Sequence, residues 1–388
     1  MKYRTFGKTG EKVSVLGYGT MRLPIIGDDY GKVDEAEAMK LVRRAVDGGV
    51  NYIDTSWPYH GLDQNKGGAS EPFVGKALKE IGRDKVFVAT KLPIWAVEKT
   101  EDMDMFLDRQ LERLGTDYVD FYLVHNIMKC TWGNVVNLGL HDFLDRILKS
   151  GKVRYVGFSF HDTPELFREV LDFYDFSFCQ HICNYHDINF QAGMAGIRAA
   201  ANRGMGFVAM EPLMGGMLAN QLPRETMDIL DATGVRRSAA AWALRWVWDQ
   251  PEVSLLLSGM NSMEQVEENL RLADESDEPL SAEELEALDK VRALLKSKGG
   301  IPCTECGKCS CPKGVFIPAC FSLYNGNHAF DVIHISMMNY GMALKGMGNE
   351  AALCDGCGAC AGQCPQGLDI PAQLRKVARY FEHVQGGW

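Results

Sequence analysis

The chain has 388 residues, 46% of them hydrophobic and 24% charged, with a formal net charge of −10 at pH 7. This length exceeds an average single domain, so two are expected, and the acidic balance argues against nucleic acid or an anionic membrane as a partner. Met1–Phe6 lacks the apolar segment of a signal peptide, and no apolar run reaches bilayer-spanning length, so the sequence reads as a soluble, cytoplasmic protein.

In chain order, Gly7-Lys8-Thr9-Gly10 reads as the turn of a small N-terminal hairpin. Eight apolar runs of strand type follow: Val13–Gly19, Asn51–Asp54, Val86–Thr90, Val119–His125, Val153–Ser159, Phe176–Cys183, Gly206–Met210 and Val253–Ser258. Between them apolar residues recur at helical spacing, as in Val74, Ala77, Leu78 and Ile81 or Leu140, Leu144, Ile147 and Leu148. Strands joined through helices imply a parallel sheet, and eight such units most often close into a barrel. An open doubly wound sheet is the alternative. Its glycine fingerprint is incomplete, because Gly17-Tyr18-Gly19-Thr20-Met21-Arg22 lacks the third glycine. The expected fold is α/β, a (β/α)8 TIM barrel over residues 1–275. A helical linker over 276–298, with a helix around Ser281–Leu295, leads to a small domain over 299–388 that begins at Lys298-Gly299-Gly300.

Nine of the twelve cysteines fall between Cys303 and Cys364, in two copies of one module. The second copy, Cys354, Cys357, Cys360, Cys364 and Pro365, has the C-x2-C-x2-C-x3-C-P spacing of bacterial 4Fe-4S proteins, whose fourth cysteine serves the other cluster. The first copy runs Cys303, Cys306, Cys309, Cys311, Pro312, and both copies continue alike, through Cys-Pro-Lys-Gly-Val-Phe-Ile-Pro and Cys-Pro-Gln-Gly-Leu-Asp-Ile-Pro. The expectation is two 4Fe-4S clusters, one on Cys303, Cys306, Cys309 and Cys364, the other on Cys354, Cys357, Cys360 and Cys311. The short Cys309–Cys311 spacing leaves Cys320 open as a substitute for Cys311. Paired C-x2-C elements also occur in zinc sites, though zinc patterns stop at two cysteines per half. Disulfides are disfavoured at this spacing in a reducing compartment. The helical stretches Ala319–Tyr324 and roughly Phe330–Leu344 lie between the modules, and the tail resembles the α-helical ferredoxin domains of respiratory iron–sulfur subunits.

The active site of an eight-stranded barrel gathers at the C-terminal ends of its strands. Those ends supply Asp54, Lys91 and His125, with Tyr59 in the loop after Asp54. Carbonyl reduction needs a hydride at carbon and a proton at oxygen. A phenol, with a reference pKa near ~10, donates that proton well only where its anion is stabilised. A lysine cation held by an aspartate would do this, and a histidine would orient the carbonyl oxygen. Here the chain resembles the aldo/keto reductase family. The resembling segments are Leu16-Gly17-Tyr18-Gly19-Thr20-Met21, Asn51-Tyr52-Ile53-Asp54-Thr55 with Tyr59-His60, Ala89-Thr90-Lys91, Tyr122-Leu123-Val124-His125 and Val156-Gly157-Phe158-Ser159.

The resemblance implies Tyr59 as general acid/base, Lys91 and Asp54 as its tuning pair and His125 as orienting donor. It also implies an NAD(P)H site, with NADP(H) ahead of NAD(H). Gly19, Thr20 and Met21 would approach the nicotinamide ribose, and Ser159, Gln180 and Asn184 its carboxamide. The stretch from Glu211 through Pro212, Leu213 and Gly215 would carry the pyrophosphate. Ser258, Gly259, Asn261, Gln265, Glu268 and Asn269 would grip the adenosine end. Two departures stand out. Met210 occupies the position of a stacking aromatic, and no Lys or Arg follows Ser258 until Arg271, so a 2′-phosphate lacks its usual cation. Trp57, Trp95, Ile127, Met128 and Trp132 either suit a hydrophobic carbonyl or serve packing.

Hydride transfer moves two electrons together, whereas a cluster moves one. Three functions reconcile the halves: a nicotinamide-dependent carbonyl oxidoreductase whose clusters exchange electrons with a protein partner, a cluster-fed one-electron reductase or radical enzyme without nicotinamide, or a redox-sensing or docking subunit.

Overall fold

A computed structural model describes residues 1–330, 340–346 and 348–385. Two short strands, β1 (Tyr3–Thr5) and β2 (Lys12–Ser14), form the antiparallel N-terminal hairpin. Eight parallel strands follow: β3 (Leu16–Gly19), β4 (Tyr52–Asp54), β5 (Phe87–Pro93), β6 (Val119–Ile127), β7 (Val153–Phe160), β8 (Phe178–Ile182), β9 (Gly206–Met210) and β10 (Leu255–Ser258). They close into a barrel in the order β10-β3-β4-β5-β6-β7-β8-β9. The expected first strand, Val13–Gly19, is two elements. The Ser14 amide donates to Asn51 Oδ1 (2.7 Å) and its hydroxyl to the Leu16 carbonyl (2.7 Å), which turns the chain out of the hairpin and into the barrel.

Alternating inward residues fill the barrel. Phe6, fully buried, meets the rings of Phe121 at 4.9 Å, Phe178 at 5.3 Å and Tyr52 at 6.1 Å. Replacing Phe6 with Ala is expected to lower stability by about 3–5 kcal/mol, because the surrounding strand residues cannot collapse into the space. Chemical denaturation measures this, and a loss below about 1 kcal/mol would show that Phe6 is not an integral part of this core.

The chain forms two compact units. One comprises Met1–Asn184, Ala192–Pro212 and Leu244–Pro279, and the other Tyr185–Gln191, Leu213–Ala243 and the chain from Leu280. These units do not follow the sequential boundaries expected at 275 and 298. The linker helix, Ala282–Lys298, opens with a capping box between Ser281 and Glu284. Its Glu284 pairs with Arg237, and its Lys298 with Glu225 at 3.2 Å, so segment 213–243 clusters with the tail.

In the second unit, helices Ile317–Phe330 and Ile370–Gln385 bury Phe321, Tyr324, Leu374, Val377 and Phe381, and the Tyr340 ring stacks on Phe381 at 4.0 Å. The first of these helices is longer than the expected Ala319–Tyr324. Of the expected stretch 330–344, residues 331–339 lie outside the described residues, and Tyr340–Lys345 forms a π-helical turn. No helix among the described residues is long and apolar enough to cross a membrane.

Candidate active site and cysteine cavity

Asp54 ends β4, while Lys91 and His125 point inward from β5 and β6, which both run past them. Lys91 Nζ, fully buried, donates to Asp54 Oδ1 at 2.7 Å, to the Thr55 carbonyl at 2.8 Å and to the Tyr59 hydroxyl at 3.2 Å. Burial pushes the Asp54 carboxyl up and the Lys91 ammonium down, and their direct contact opposes both shifts. Burial also holds the Tyr59 phenol well above the usual range, with the charges of Asp54 and Glu211 adding to it, so Tyr59 stays protonated. His125 Nδ1 lies 3.0 Å from the Ser56 hydroxyl. Burial, and after it the Lys91 charge, hold this imidazole neutral, well below its ordinary pKa. The Tyr59 and His125 rings meet edge-on at 6.2 Å. A protonated phenol, a buried lysine bonded to a carboxylate and a neutral imidazole therefore share one rim.

The loop carrying Tyr59 is closed by its own backbone. The Gly68 amide donates to the Trp57 carbonyl (2.8 Å) and the Ser70 amide to that of Tyr59 (3.2 Å). A side chain at Gly68 would collide with the backbone of Tyr59 and His60.

Behind the site lies a buried polar network with no counterpart in the sequence reading. Ser70 Oγ bonds the hydroxyls of Thr20 (2.6 Å) and Thr55 (2.8 Å). Glu71, fully buried, accepts from Thr90 (2.7 Å), Gln110 (2.8 Å) and Arg113 (2.8 Å), and Gln110 also donates to the Lys91 carbonyl at 2.9 Å. The only sequence signal is an acidic residue in the first turn of helix Ser70–Ile81, which ordinarily reads as a favourable dipole contact.

The nicotinamide candidates fall into three groups. Ser159 on β7 is the register partner of Gln180 on β8, and Met210 ends β9 opposite Ile182. Ser159 Oγ accepts from the Asn126 amide at 2.7 Å, and Gln180 Nε2 lies 3.8 Å from Met210 Sδ. Gln180 Oε1 is buried and has no partner among the described residues. Asn184 Nδ2 donates to the Glu211 carbonyl at 3.2 Å.

At the opposite edge, Gly19 ends β3, the Thr20 hydroxyl is committed to the Asp54 carbonyl at 2.8 Å, and Met21 is exposed. Asn269 donates to Ser258 Oγ at 3.0 Å. Gln265 accepts from the Asn261 amide at 2.9 Å, ahead of helix Met263–Asp274, which also carries Glu268. A Cβ on Gly259 would lie 3.0 Å from Arg22 Cβ, so the aliphatic stem of Arg22, from the loop after β3, passes against this segment. Pro212 is buried in the first unit, and Leu213 and Gly215 belong to the second. Of the five large apolar loop residues, Trp57, Ile127, Met128 and Trp132 are buried in packing. Trp95 remains at the site, 5.1 Å from the His125 ring.

In the second unit, Cys303, Cys306, Cys309 and Cys364 line one small pocket together with Pro318, Phe321, Leu368 and Ile370. Burial pushes the Cys309 thiol up to about 11, with added repulsion from Cys306, Cys364 and Cys360. Burial also raises the Cys360 thiol, which lies within electrostatic reach of Cys311, Cys354 and Cys357. Cys320 is fully buried, its thiol 3.8 Å from the Asn349 carbonyl, though it too lies within reach of Cys311. All twelve cysteines are free thiols. Among the described residues, no three His, Cys, Asp or Glu side chains are grouped as a metal-holding set.

The family model for the aldo/keto reductase family matches residues 15–293. L-galactose dehydrogenase of Arabidopsis thaliana is 30% identical over 316 residues, covering 76% of this chain and 95% of that protein. NADH-specific methylglyoxal reductase of Escherichia coli K12 is 26% identical over 345 residues, covering 75% of this chain and all of the relative. Among solved structures, the holo form of an aldo-keto reductase from Bacillus halodurans superposes with a TM-score of 0.60 at 25% identity, covering 75% of this chain and 96% of that one. The chain belongs to the aldo/keto reductase family, and it is an oxidoreductase on a (β/α)8 barrel.

Proposed function

We propose that the protein reduces a small carbonyl compound with NAD(P)H, and that its second unit holds two 4Fe-4S clusters that exchange electrons with a redox partner. The observation that carries the first half is the chain of contacts from Asp54 through Lys91 to the Tyr59 hydroxyl, 2.7 Å and then 3.2 Å. When bound, NAD(P)H supplies the hydride that the carbonyl carbon receives. Tyr59 gives its proton to the carbonyl oxygen, Lys91 stabilises the phenolate left behind, and Asp54 keeps Lys91 in place. With Ser56 donating to Nδ1, His125 presents Nε2–H to the same oxygen and orients it. The buried, unpartnered Gln180 Oε1 suits a carboxamide N–H donor, with Ser159 and Asn184 beside it. The stem of Arg22 beside Gly259 supports NADP(H), since its loop carries a cation next to the Ser258–Ser262 stretch, which has none. Relatives named as a dehydrogenase and as a reductase fit a transfer that runs in either direction.

For the clusters, the support is the repeated cysteine module together with the grouping of its thiols. Four cysteines line one apolar pocket, and Cys360 lies within electrostatic reach of its module partners Cys354 and Cys357, of Cys311 and of Cys309. A single zinc ion draws its sulfurs to about 2.3 Å from one point, whereas a cubane takes its four thiolates on four separate irons. Bound clusters would accept and release single electrons.

Anaerobic purification followed by iron and sulfide analysis tests this half. About eight irons per chain are expected, Cys311→Ala lowers that content, and Cys320→Ala leaves it unchanged. Zinc in place of iron, or iron lost equally in both variants, would contradict the assignment.

A further inference from the structure

Glu71, the second residue of helix Ser70–Ile81, is fully buried. Its two oxygens serve different neighbours. Oε1 accepts from the Thr90 hydroxyl and from Gln110 Nε2, while Oε2 accepts from Arg113 Nε. Stability alone does not explain such a buried pair, because apolar side chains of similar volume often serve as well. What Gln110 and Arg113 touch next is more informative.

Gln110 leads to β5. Its Nε2 donates to the Lys91 carbonyl at 2.9 Å, and its Oε1 accepts from the Tyr122 hydroxyl at 2.8 Å. The Lys91 carbonyl depends on that donor. Two residues earlier the Ala89 carbonyl accepts the Thr55 amide at 2.9 Å, but β4 has ended at Asp54, and its ladder stops short of Lys91.

Arg113 leads to the loop that carries Tyr59. Its guanidinium donates to the Gly68 carbonyl and lies over the Trp57 ring at 5.1 Å. From Gly68 onward, successive amides return to the carbonyls of Trp57, His60 and Tyr59, at 2.8, 3.0 and 3.2 Å. Both arms therefore end on the backbone that holds Tyr59 and Lys91, whose hydroxyl and Nζ lie 3.2 Å apart.

We propose that Glu71 is a positioning residue that sets the Tyr59–Lys91 pair, fixing the Lys91 backbone through Gln110 and the Tyr59 loop through Arg113. The proposal rests on the carbonyl-reductase reading and adds two elements outside the site, helices Ser70–Ile81 and Thr100–Leu114, as the frame that keeps proton donor and lysine in register. A carboxylate suits this place because it only accepts, so one group can gather donors from a strand and a helix.

Two variants of the full-length protein separate the arms. Gln110→Met keeps the length of the side chain and leaves the Glu71–Arg113 pair whole, so no charge is stranded. Its kcat for carbonyl reduction is expected to fall about 10- to 100-fold, with KM for aldehyde and for NADPH kept within about twofold. The primary isotope effect from NADPH deuterated at the transferred position rises with it, because hydride transfer becomes the slow step. A mere loss of folded enzyme leaves that isotope effect unchanged. Phe6→Ala, which loosens the barrel core away from Glu71, is the control and keeps the wild-type isotope effect.

Glu71→Gln still accepts from Thr90 and Gln110 but turns its amide N–H groups towards Arg113, which cuts the loop arm. Hydrogen exchange of the amides of residues 57–70, read without substrate or cofactor, is expected to quicken in Glu71→Gln and to stay at the wild-type rate in Gln110→Met. Wild-type kcat and isotope effect in Gln110→Met overturn the proposal, as does wild-type exchange in Glu71→Gln. No carbonyl turnover by the wild type removes the reductase reading instead, and the exchange result then decides by itself whether Glu71 holds the Tyr59 loop.

Discussion

Replacing Tyr59 with Phe is expected to lower kcat for carbonyl reduction by about 10²–10⁴-fold, with nicotinamide affinity and thermal stability kept. The change removes one hydroxyl and leaves the ring in its place. What is lost is the proton donor 3.2 Å from Lys91 Nζ and the anion that Lys91 would stabilise. The pH profile follows from the same burial. With the phenol held well above its ordinary range, the acid form persists through neutral pH. The reduction rate therefore stays level there and falls only in alkaline solution, above about pH 10. Steady-state rates across pH for the wild type and Tyr59→Phe check both statements. A fall in rate centred near neutrality would assign the proton to another group.

Replacing Lys91 with Met is expected to abolish turnover and to destabilise the fold by about 3–5 kcal/mol at neutral pH. The cause is electrostatic, since Asp54, 2% exposed, would be left as a buried carboxylate without its cation. The carboxyl is already raised by burial with Lys91 opposing, so without Lys91 it rises further. A folded-state pKa above the unfolded value means that the folded chain binds more protons, and stability then falls as pH rises from about pH 4 towards neutrality. Lys91→Met is therefore least stable at neutral pH and recovers in acid. Adding Asp54→Asn removes the pH dependence and restores part of the loss. Denaturant midpoints across that range measure this, and a pH-independent loss in Lys91→Met would mean that packing, not charge, sets the cost.

The barrel was legible in the sequence because eight apolar strand runs alternate with helical spacing, and the closed parallel sheet follows that order. The positions of the rim residues were legible for the same reason, since three successive strands bring Asp54, Lys91 and His125 to one circle, although β5 and β6 continue two residues past Lys91 and His125. Contacts made across loops were not. No periodicity announces that the 23–34 segment folds back onto His60, or that Arg22 lies against Gly259 where the local residues carry no cation. Glu71 was invisible because a glutamate in a first helical turn ordinarily faces solvent, whereas here Thr90, Gln110 and Arg113 satisfy it in the interior. The apolar loop residues show the reverse case: Trp57 meets Phe106 edge-on at 5.1 Å and Trp132 meets Phe173 at 4.9 Å, so packing claims them. The compact units also departed from sequential segments, because ion pairs such as Lys298–Glu225 join stretches far apart in the chain.

The most direct test of carbonyl reduction at Tyr59 follows one hydrogen. The protein is mixed with NADPH deuterated at the transferred position and an aldehyde, and the alcohol is analysed by mass spectrometry. Hydride transfer predicts one deuterium on the carbinol carbon in the wild type and very little product from Tyr59→Phe. Unlabelled alcohol, formed equally well when a one-electron donor replaces NADPH, would contradict it and point to one-electron chemistry instead.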